Sequence, residues 1–154
     1  MSTNTVRMLD IAEVKPYWRN PRDNRAAVAK VVTSIKEYGY NQLIAVDSQY
    51  VIIAGHTRYL ALKELGWQKV SVLVLNDLDP EKAKAYRIID NKTHEFSEWN
   101  PEDLALEMRE LADRTVMGEF FSESDLTRML EDAAGVNYKD VTEEDVIATE
   151  ARMG

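Results

Sequence analysis

The apolar residues in the first half of the chain cluster in short runs separated by polar segments. Each run is four to six residues long, the length of a β-strand: residues 8–11, 43–46, 50–53 and 70–75. The segment Asp47-Ser48-Gln49 joins the two middle runs and predicts a β-hairpin. On these strands we expect six side chains to be buried: Ile44, Val46, Val51, Ile53, Val72 and Val74.

Two amphipathic segments alternate with these runs. Residues 26–38 place β-branched apolar side chains at helical spacing and end before Gly39. Residues 57–65 form a second helical segment that ends before Gly66, and glycine is the usual residue after a helix end. Short strands alternating with helices predict an α/β (α+β) fold with a small mixed sheet.

From residue 80 onward the signals are helical. Pro80 begins a helical segment, with Asp79 or Asp77 as its candidate cap, and Asn100-Pro101 combines a capping side chain with a proline in the first turn. A further helix start follows Ser122. We therefore expect three parts. Residues 1–79 form the α/β core, residues 80–134 a helical C-terminal extension packed on that core, and residues 135–154 an acidic, mobile tail.

Charge is distributed unevenly along the 154 residues. The net charge is −8, yet residues 1–40 hold seven Lys/Arg against four Asp/Glu, while residues 101–154 hold five against fifteen. An acidic chain is a poor non-specific DNA binder, because Lys and Arg supply most of that affinity. Any contact with nucleic acid would have to use a local basic cluster: Lys15, Arg19, Arg22 and Arg25. The alternative is that these are solvated loop charges.

Composition also limits the compartment and the chemistry. The chain contains no cysteine, which excludes disulfides and thiolate metal sites. The N-terminus lacks the apolar stretch of a signal peptide, and no run approaches the roughly 18 apolar residues of a membrane span. These features predict a cytoplasmic protein without a membrane partner.

The junction after the run 50–53 has the features of an anion site. There the sequence continues Gly55-His56-Thr57-Arg58 and enters a helix. A helix N-terminus presents free backbone N–H groups and the positive end of the helix dipole, and Arg58 adds a guanidinium. Phosphate is the anion that this combination favours.

Several segments together resemble a known family. They are Asn20-Pro21-Arg22, Ser34-Ile35-Lys36-Glu37-Tyr38-Gly39, Asn41-Gln42-Leu43-Ile44, Ile52-Ile53-Ala54-Gly55-His56-Thr57-Arg58 and Leu65-Gly66-Trp67-Gln68-Lys69-Val70. In order and spacing, residues 8–78 resemble the ParB/sulfiredoxin-like N-terminal domain family. Residues 83–99 are similar to the extension of phage and prophage ParB-domain proteins, notably those fused ahead of a DNA methyltransferase.

The resemblance implies a bound nucleotide, either CTP or ATP with Mg²⁺. It also implies which residues contact the nucleotide or its phosphates: Gly55, His56, Thr57, Arg58, Arg22, Asn20 and Gln42. The family often carries Glu-Arg where this chain has His56 and Thr57, and the sulfiredoxin cysteine is missing, which excludes that activity. No set of protein metal ligands follows from the sequence.

Three functions remain open. The first is a nucleotide-dependent module that acts on DNA, with a nucleotide, DNA or a DNA-processing protein as partners and a homo-oligomer as an allowed state. The second is an enzyme, a ParB-like nuclease or a small kinase, with His56, Glu37 or Asp23 as the base. The third is a non-catalytic acidic adaptor or DNA-mimicking inhibitor. Trp18, which lies among arginines, is either a packing residue or a base-stacking one.

Overall fold

The structure is a computed structural model that describes residues 4–19 and 25–134. Two compact units divide the chain, Met1–Ser97 and Glu98–Gly154. The predicted tail 135–154 lies outside the described residues. The division into 1–79, 80–134 and 135–154 stays a prediction.

The first unit contains a mixed four-stranded sheet, so the predicted fold class is confirmed. The strands are β1 (Thr5–Asp10), β2 (Ile44–Asp47), β3 (Ile52–Ala54) and β4 (Lys69–Leu75). Their order across the sheet is β1-β4-β2-β3. The pairs β1–β4 and β2–β3 are antiparallel, whereas β2 and β4 are parallel. β2 and β3 form the predicted hairpin.

Three helices accompany the sheet: α1 (Arg25–Tyr38), α2 (His56–Glu64) and α3 (Pro80–His94). α2 ends in the pattern expected of a C-terminal glycine, with Gly66 at φ +75°. The Gly66 N–H donates to the Lys63 carbonyl at 3.1 Å, and the Trp67 N–H donates to the Leu62 carbonyl at 3.1 Å. α3 begins as predicted, because the Asp79 carboxylate accepts the Lys82 N–H at 2.8 Å.

Apolar side chains cover both faces of the sheet. On one face, Val70, Val72 and Val74 of β4 join a core that includes side chains of α1 and α2. The alternate residues of β4, Leu73 and Leu75, point the other way and pack with Ile53 and with Ala83 of α3. The strands therefore lie in a layer with helices on both sides. Because α2 begins two residues after β3 ends, its N-terminus lies at the end of that strand.

One of the six predicted buried positions is wrong. Ile44, Val46, Ile53, Val72 and Val74 are buried, but Val51 is only half-buried. Tyr50 adopts φ +68°, and β3 begins at Ile52, leaving Val51 in an isolated bridge with Lys15. Because the sheet is covered on both faces, Ile52 and Ile53 are both buried, and strict alternation from residue 51 does not apply.

The first predicted strand also differs from the observed one. The apolar run 8–11 predicts a strand there, yet β1 begins at Thr5 and ends at Asp10. Thr5 pairs with Val74 and Asp10 with Lys69, so the partner strand β4 extends the ladder beyond the apolar run. Ile11 starts a short 3-10 helix, Ile11–Glu13.

The second unit is helical over its described residues. It contains α4 (Pro101–Glu110), a 3-10 turn (Val116–Glu119) and α5 (Glu123–Ala134). The Asn100 side chain caps α4 by accepting the Asp103 N–H at 3.1 Å, as its sequence predicts. At the other end of α4, Arg114 donates to the carbonyls of Met108 and Arg109 at 2.7 and 2.8 Å.

Candidate functional site

Gly55 makes the turn from β3 into α2. Its φ of +106° and ψ of 26° are in the left-handed region, which a residue with a side chain rarely adopts. A Cβ at this position would lie 3.2 Å from both Cα and Cγ1 of Ile44, because the turn presses against β2. Both constraints require glycine, and they bring the first turn of α2 against the sheet.

The N-terminus of α2 is uncapped. Tyr59 is the first residue whose N–H closes a helical bond, to the Gly55 carbonyl at 2.9 Å. Among the described residues no side chain caps the helix, and its first turn contains no acidic residue. By contrast α3, α4 and α5 each have a side-chain cap and an acidic first turn. The backbone N–H groups of His56, Thr57 and Arg58 are therefore available to an anion.

Arg58 lies in the same first turn. Its Nη1 donates to the carbonyls of Gln42 and Leu43 at 2.8 and 2.9 Å, which ties the segment before β2 to α2. Among the described residues, Nε and Nη2 of Arg58 have no hydrogen-bond partner, and the same is true of the Thr57 hydroxyl. The guanidinium is held at one nitrogen and keeps donors for a ligand.

A cleft of about 280 Å³ adjoins Arg58. Its walls come from the C-terminal half of α1 and from the segment that follows: Ser34, Tyr38, Gly39, Tyr40, Asn41 and Gln42. Small-molecule sites typically enclose about 300–1,000 Å³, so the cleft is at the lower edge of that range. Gln42 and Arg58, two predicted nucleotide-binding residues, therefore meet at one opening.

Tyr40 fixes this segment against the sheet. Its hydroxyl donates to the Ser71 carbonyl at 2.8 Å and accepts the Ile44 N–H at 2.7 Å. Burial is the main reason that the pKa of Tyr40 is raised above 10.0, so the phenol stays protonated and able to donate. Trp67 packs edge-on against the same ring with the centroids 5.8 Å apart.

His56 points to a different neighbour. Its Nε2 accepts the Tyr17 N–H at 3.0 Å, so the neutral ring carries its proton on Nδ1. Burial, and secondarily the charge of Arg87, lowers the pKa of His56 below 6.5. The lone pair of Nε2 is therefore used to hold the segment before α1, and His56 is the first residue of α2.

Arg87 is the buried charged residue beside this histidine, with 6% of its surface exposed. Nε donates to the Ile52 carbonyl at 2.9 Å, and Nη2 lies 3.6 Å from Oδ2 of Asp47. The guanidinium also stacks 4.0 Å from the centre of the Tyr17 ring. The other oxygen of Asp47 accepts the N–H groups of Gln49 and Val51 and so shapes the hairpin turn.

The sequence alone does not predict the contacts of Arg87 with Asp47 and Tyr17. A signal is nevertheless present, because Arg87 follows the buried Ala83 by four residues and so lies on the buried stripe of α3. An arginine at an apolar position of a helix indicates a buried partner. That the partner is a hairpin turn 40 residues earlier is a tertiary fact.

The other predicted residues are scattered. Glu37 is exposed on α1 and is not part of the cleft wall at Arg58. The exposed Lys15 joins the sheet through its backbone, Arg19 stacks 4.2 Å from the centre of the Trp18 ring, and Arg25 is the exposed first residue of α1. Three predicted residues lie outside the described part of the chain: Asn20, Arg22 and Asp23.

In residues 4–19 and 25–134, no three His, Asp or Glu side chains converge on a point that could hold a metal ion. Within the same ranges, no helix has the length and apolar character needed to span a bilayer.

Comparison with known proteins defines the class. Residues 1–92 match the family model described as the ParB N-terminal domain. The chain therefore belongs to the ParB N-terminal domain family. It is 37% identical over 73 residues to the ParB-like nuclease domain-containing protein YnaK of Escherichia coli K12, which covers 47% of this chain and 84% of YnaK.

More distant relatives are longer proteins. The nucleoid occlusion protein of Bacillus thuringiensis Al Hakam is 31% identical over 96 residues, covering 58% of this chain and 33% of that protein. A C-terminally truncated chromosome-partitioning protein ParB of Caulobacter crescentus, crystallised with CTP-gamma-S, superposes with a TM-score of 0.57 at 22% identity, over 83% of this chain and 71% of that one. This superposition shows a shared fold.

Proposed function

We propose that the protein binds the phosphates of a nucleotide at the N-terminus of α2 and acts in DNA metabolism or modification. The observation that carries the proposal is the first turn of α2, which has three N–H groups, no acidic residue of its own and no capping side chain among the described residues. A helix end that lacks both a cap and a counter-charge is suited to an anionic ligand.

The surrounding residues add to this proposal. Gly55 brings the first turn of α2 against β2. Arg58 supplies donors that charge-assisted bonds to phosphate require. CTP or ATP with Mg²⁺ is the proposed ligand, since a ParB of the same fold was crystallised with CTP-gamma-S. Mg²⁺ bound through nucleotide phosphates needs few protein carboxylates.

Binding is favoured over turnover by the position of His56. Its Nε2 is committed to the Tyr17 N–H, so in this arrangement the ring does not offer a free lone pair to a water or hydroxyl. A nuclease is the second candidate, supported by the similarity to YnaK, whose name records a ParB-like nuclease domain. The finer proposal, a relative of phage and prophage proteins linked to DNA methylation, rests on the resemblance of residues 83–99.

Isothermal titration with CTP and ATP, with and without Mg²⁺, tests the proposal. Arg58→Ala should weaken binding by roughly 10-fold to 150-fold, since a charge-assisted hydrogen bond contributes about 1.5–3 kcal/mol. Arg128→Ala is the control, because Arg128 is exposed and pairs only with Asp125 among the described residues.

The outcomes separate the candidates. Equal nucleotide affinity in wild type and Arg58→Ala would remove Arg58 from the site. No heat from any nucleotide would contradict the phosphate site and favour the acidic adaptor. Release of cleaved DNA or free phosphate by the wild type would favour the enzyme.

A further inference from the structure

A second cleft, of about 480 Å³, lies in the first unit and shares no wall residue with the cleft at Arg58. It opens between the segment before α1, the hairpin turn and the start of α3. Its walls include the side chains of Tyr17, Trp18, Gln49, Lys84 and Arg87. One bond connects the cleft to the proposed phosphate site, from the Tyr17 N–H to Nε2 of His56.

Two aromatic residues, Tyr17 and Trp18, form one wall of the cleft, and contacts with neighbouring residues fix the first of them. Tyr17 is fixed through its N–H to His56 and through its ring to Arg87. Trp18 follows directly, with the two ring centroids 6.4 Å apart, yet 78% of its surface is exposed. A large indole that lies at a surface beside an anchored neighbour is a suitable stacking platform.

The charges around the cleft favour an anion. Asp47 is matched by the buried Arg87, so its carboxylate does not leave the cleft negative. Lys84 lines the cleft and is exposed, with no ion-pair partner among the described residues. Arg19 adds a second cation, its guanidinium 4.2 Å from the centre of the Trp18 ring. Trp18 is 78% exposed with one cation over its ring and a second, Lys84, at the same cleft, an arrangement that matches a base with its phosphate.

We infer that this cleft binds an unpaired base of single-stranded nucleic acid, stacked at Trp18, with the neighbouring phosphate at Lys84 and Arg19. A base inside a duplex is already stacked on its neighbours, so only a single strand presents a free face. The net charge of −8 also disfavours broad electrostatic binding of duplex DNA, whereas a strand held by stacking needs few cations.

Fluorescence anisotropy with a labelled oligo(dT) strand at low salt tests the inference. Trp18→Ala should weaken binding about 5-fold to 150-fold, the range found when a base-stacking aromatic is removed. Lys84→Ala should make the slope of log K against log salt shallower by roughly 0.7, as expected for one lost phosphate contact on a single strand. Trp18→Phe should fall between Trp18→Ala and the wild type.

Matched controls are available elsewhere in the chain. Lys82→Ala removes an exposed lysine from the same helix outside the cleft, and Trp99→Ala removes an indole that is 71% exposed in the second unit. Both should bind as the wild type does. Because Trp18 is an exposed residue, circular dichroism should show Trp18→Ala folded, and nucleotide binding measured by titration should be unchanged.

Three results would overturn the inference. One is no binding of oligo(dT) by the wild type. Another is equal affinity in wild type, Trp18→Ala and Trp18→Phe. The third is competition by thymidine monophosphate, or by the duplex of the same length, at the same concentration as the single strand, which would assign the cleft to a free nucleotide or to paired DNA.

Discussion

Gly55 combines a left-handed backbone with a close contact to β2, and the two can be separated experimentally. At Gly66 the backbone is also left-handed, with φ +75°, but a Cβ there would meet nothing within 4 Å. At Gly55 the Cβ would lie 3.2 Å from the backbone and side chain of Ile44. Only the first glycine therefore shapes the phosphate site through packing.

The first prediction follows from this pair. Gly66→Ala should lower the free energy of unfolding by about 1–2 kcal/mol, the cost of a side chain in the left-handed region. Gly55→Ala should lower it by about 2–5 kcal/mol, because overpacking against Ile44 adds to that cost. Urea denaturation of both variants measures the difference. Equal losses would show that Ile44 moves aside freely.

His56 predicts a pH dependence. The folded-state pKa of His56 lies below 6.5 through burial and, secondarily, through Arg87, so the unfolded chain takes up a proton first as the pH falls. Stability should therefore be full above pH 6.5 and fall towards the lowered pKa, by up to about 1.4 kcal/mol per pH unit. His56→Gln should lack this component in urea denaturation between pH 7.5 and 5.5, whereas His94→Gln retains His56 and is the control. The same acid loss in His56→Gln would assign the effect elsewhere.

At the level of secondary-structure elements, the segment between α1 and β2 has no regular structure, and side-chain hydrogen bonds hold it in place. Tyr40 joins it to β4, and Arg58 joins it to α2. These bonds hold the mouth of the smaller cleft between two regular elements. Arg58 therefore has a structural part as well as the proposed ligand part, and Arg58→Ala should cost about 1–3 kcal/mol in stability besides its effect on binding.

Tyr40 gives a further prediction at this scale. Tyr40→Phe keeps the ring but leaves the Ile44 N–H and the Ser71 carbonyl without their partner, which should cost about 1–3 kcal/mol in a thermal or urea melt. Tyr86→Phe is the control, because Tyr86 is 45% exposed and its hydroxyl has no partner among the described residues. A Tyr40→Phe melt that matches the control would mean that water replaces both bonds.

Local sequence predicts the elements because their ends carry local signals. The caps Asp79 and Asn100 and the glycine after α2 all depend on neighbours a few residues away. Sheet order and the start of β1 depend on pairing with β4, where Thr5 meets Val74 and Asp10 meets Lys69, so the apolar run 8–11 alone could not show them. The phosphate-site pattern of residues 55–58 can also be recognised from neighbouring residues. The hydrogen bond between His56 and Tyr17 joins residues far apart in the sequence, so the local sequence does not show it.

In the chain as a whole, the family match and the excess of acidic residues fall in different parts of the sequence. The family match covers residues 1–92, which include the uncapped helix and both clefts. The acidity belongs to residues 101–154, with fifteen Asp/Glu against five Lys/Arg. We expect ligand binding to depend on the first unit and to survive neutralisation of acidic residues in the second.

A ¹H–¹⁵N spectrum of the protein titrated with CTP or ATP and Mg²⁺ tests most directly whether the N-terminus of α2 binds nucleotide phosphates. The backbone amides of His56, Thr57 and Arg58 should shift most, because they are the N–H groups proposed to meet phosphate. The amide of Lys82 in the capped first turn of α3 is the internal control and should not move. Saturable shifts at residues 56–58 are the predicted result. Binding without shifts there, or no binding at all, would contradict the account.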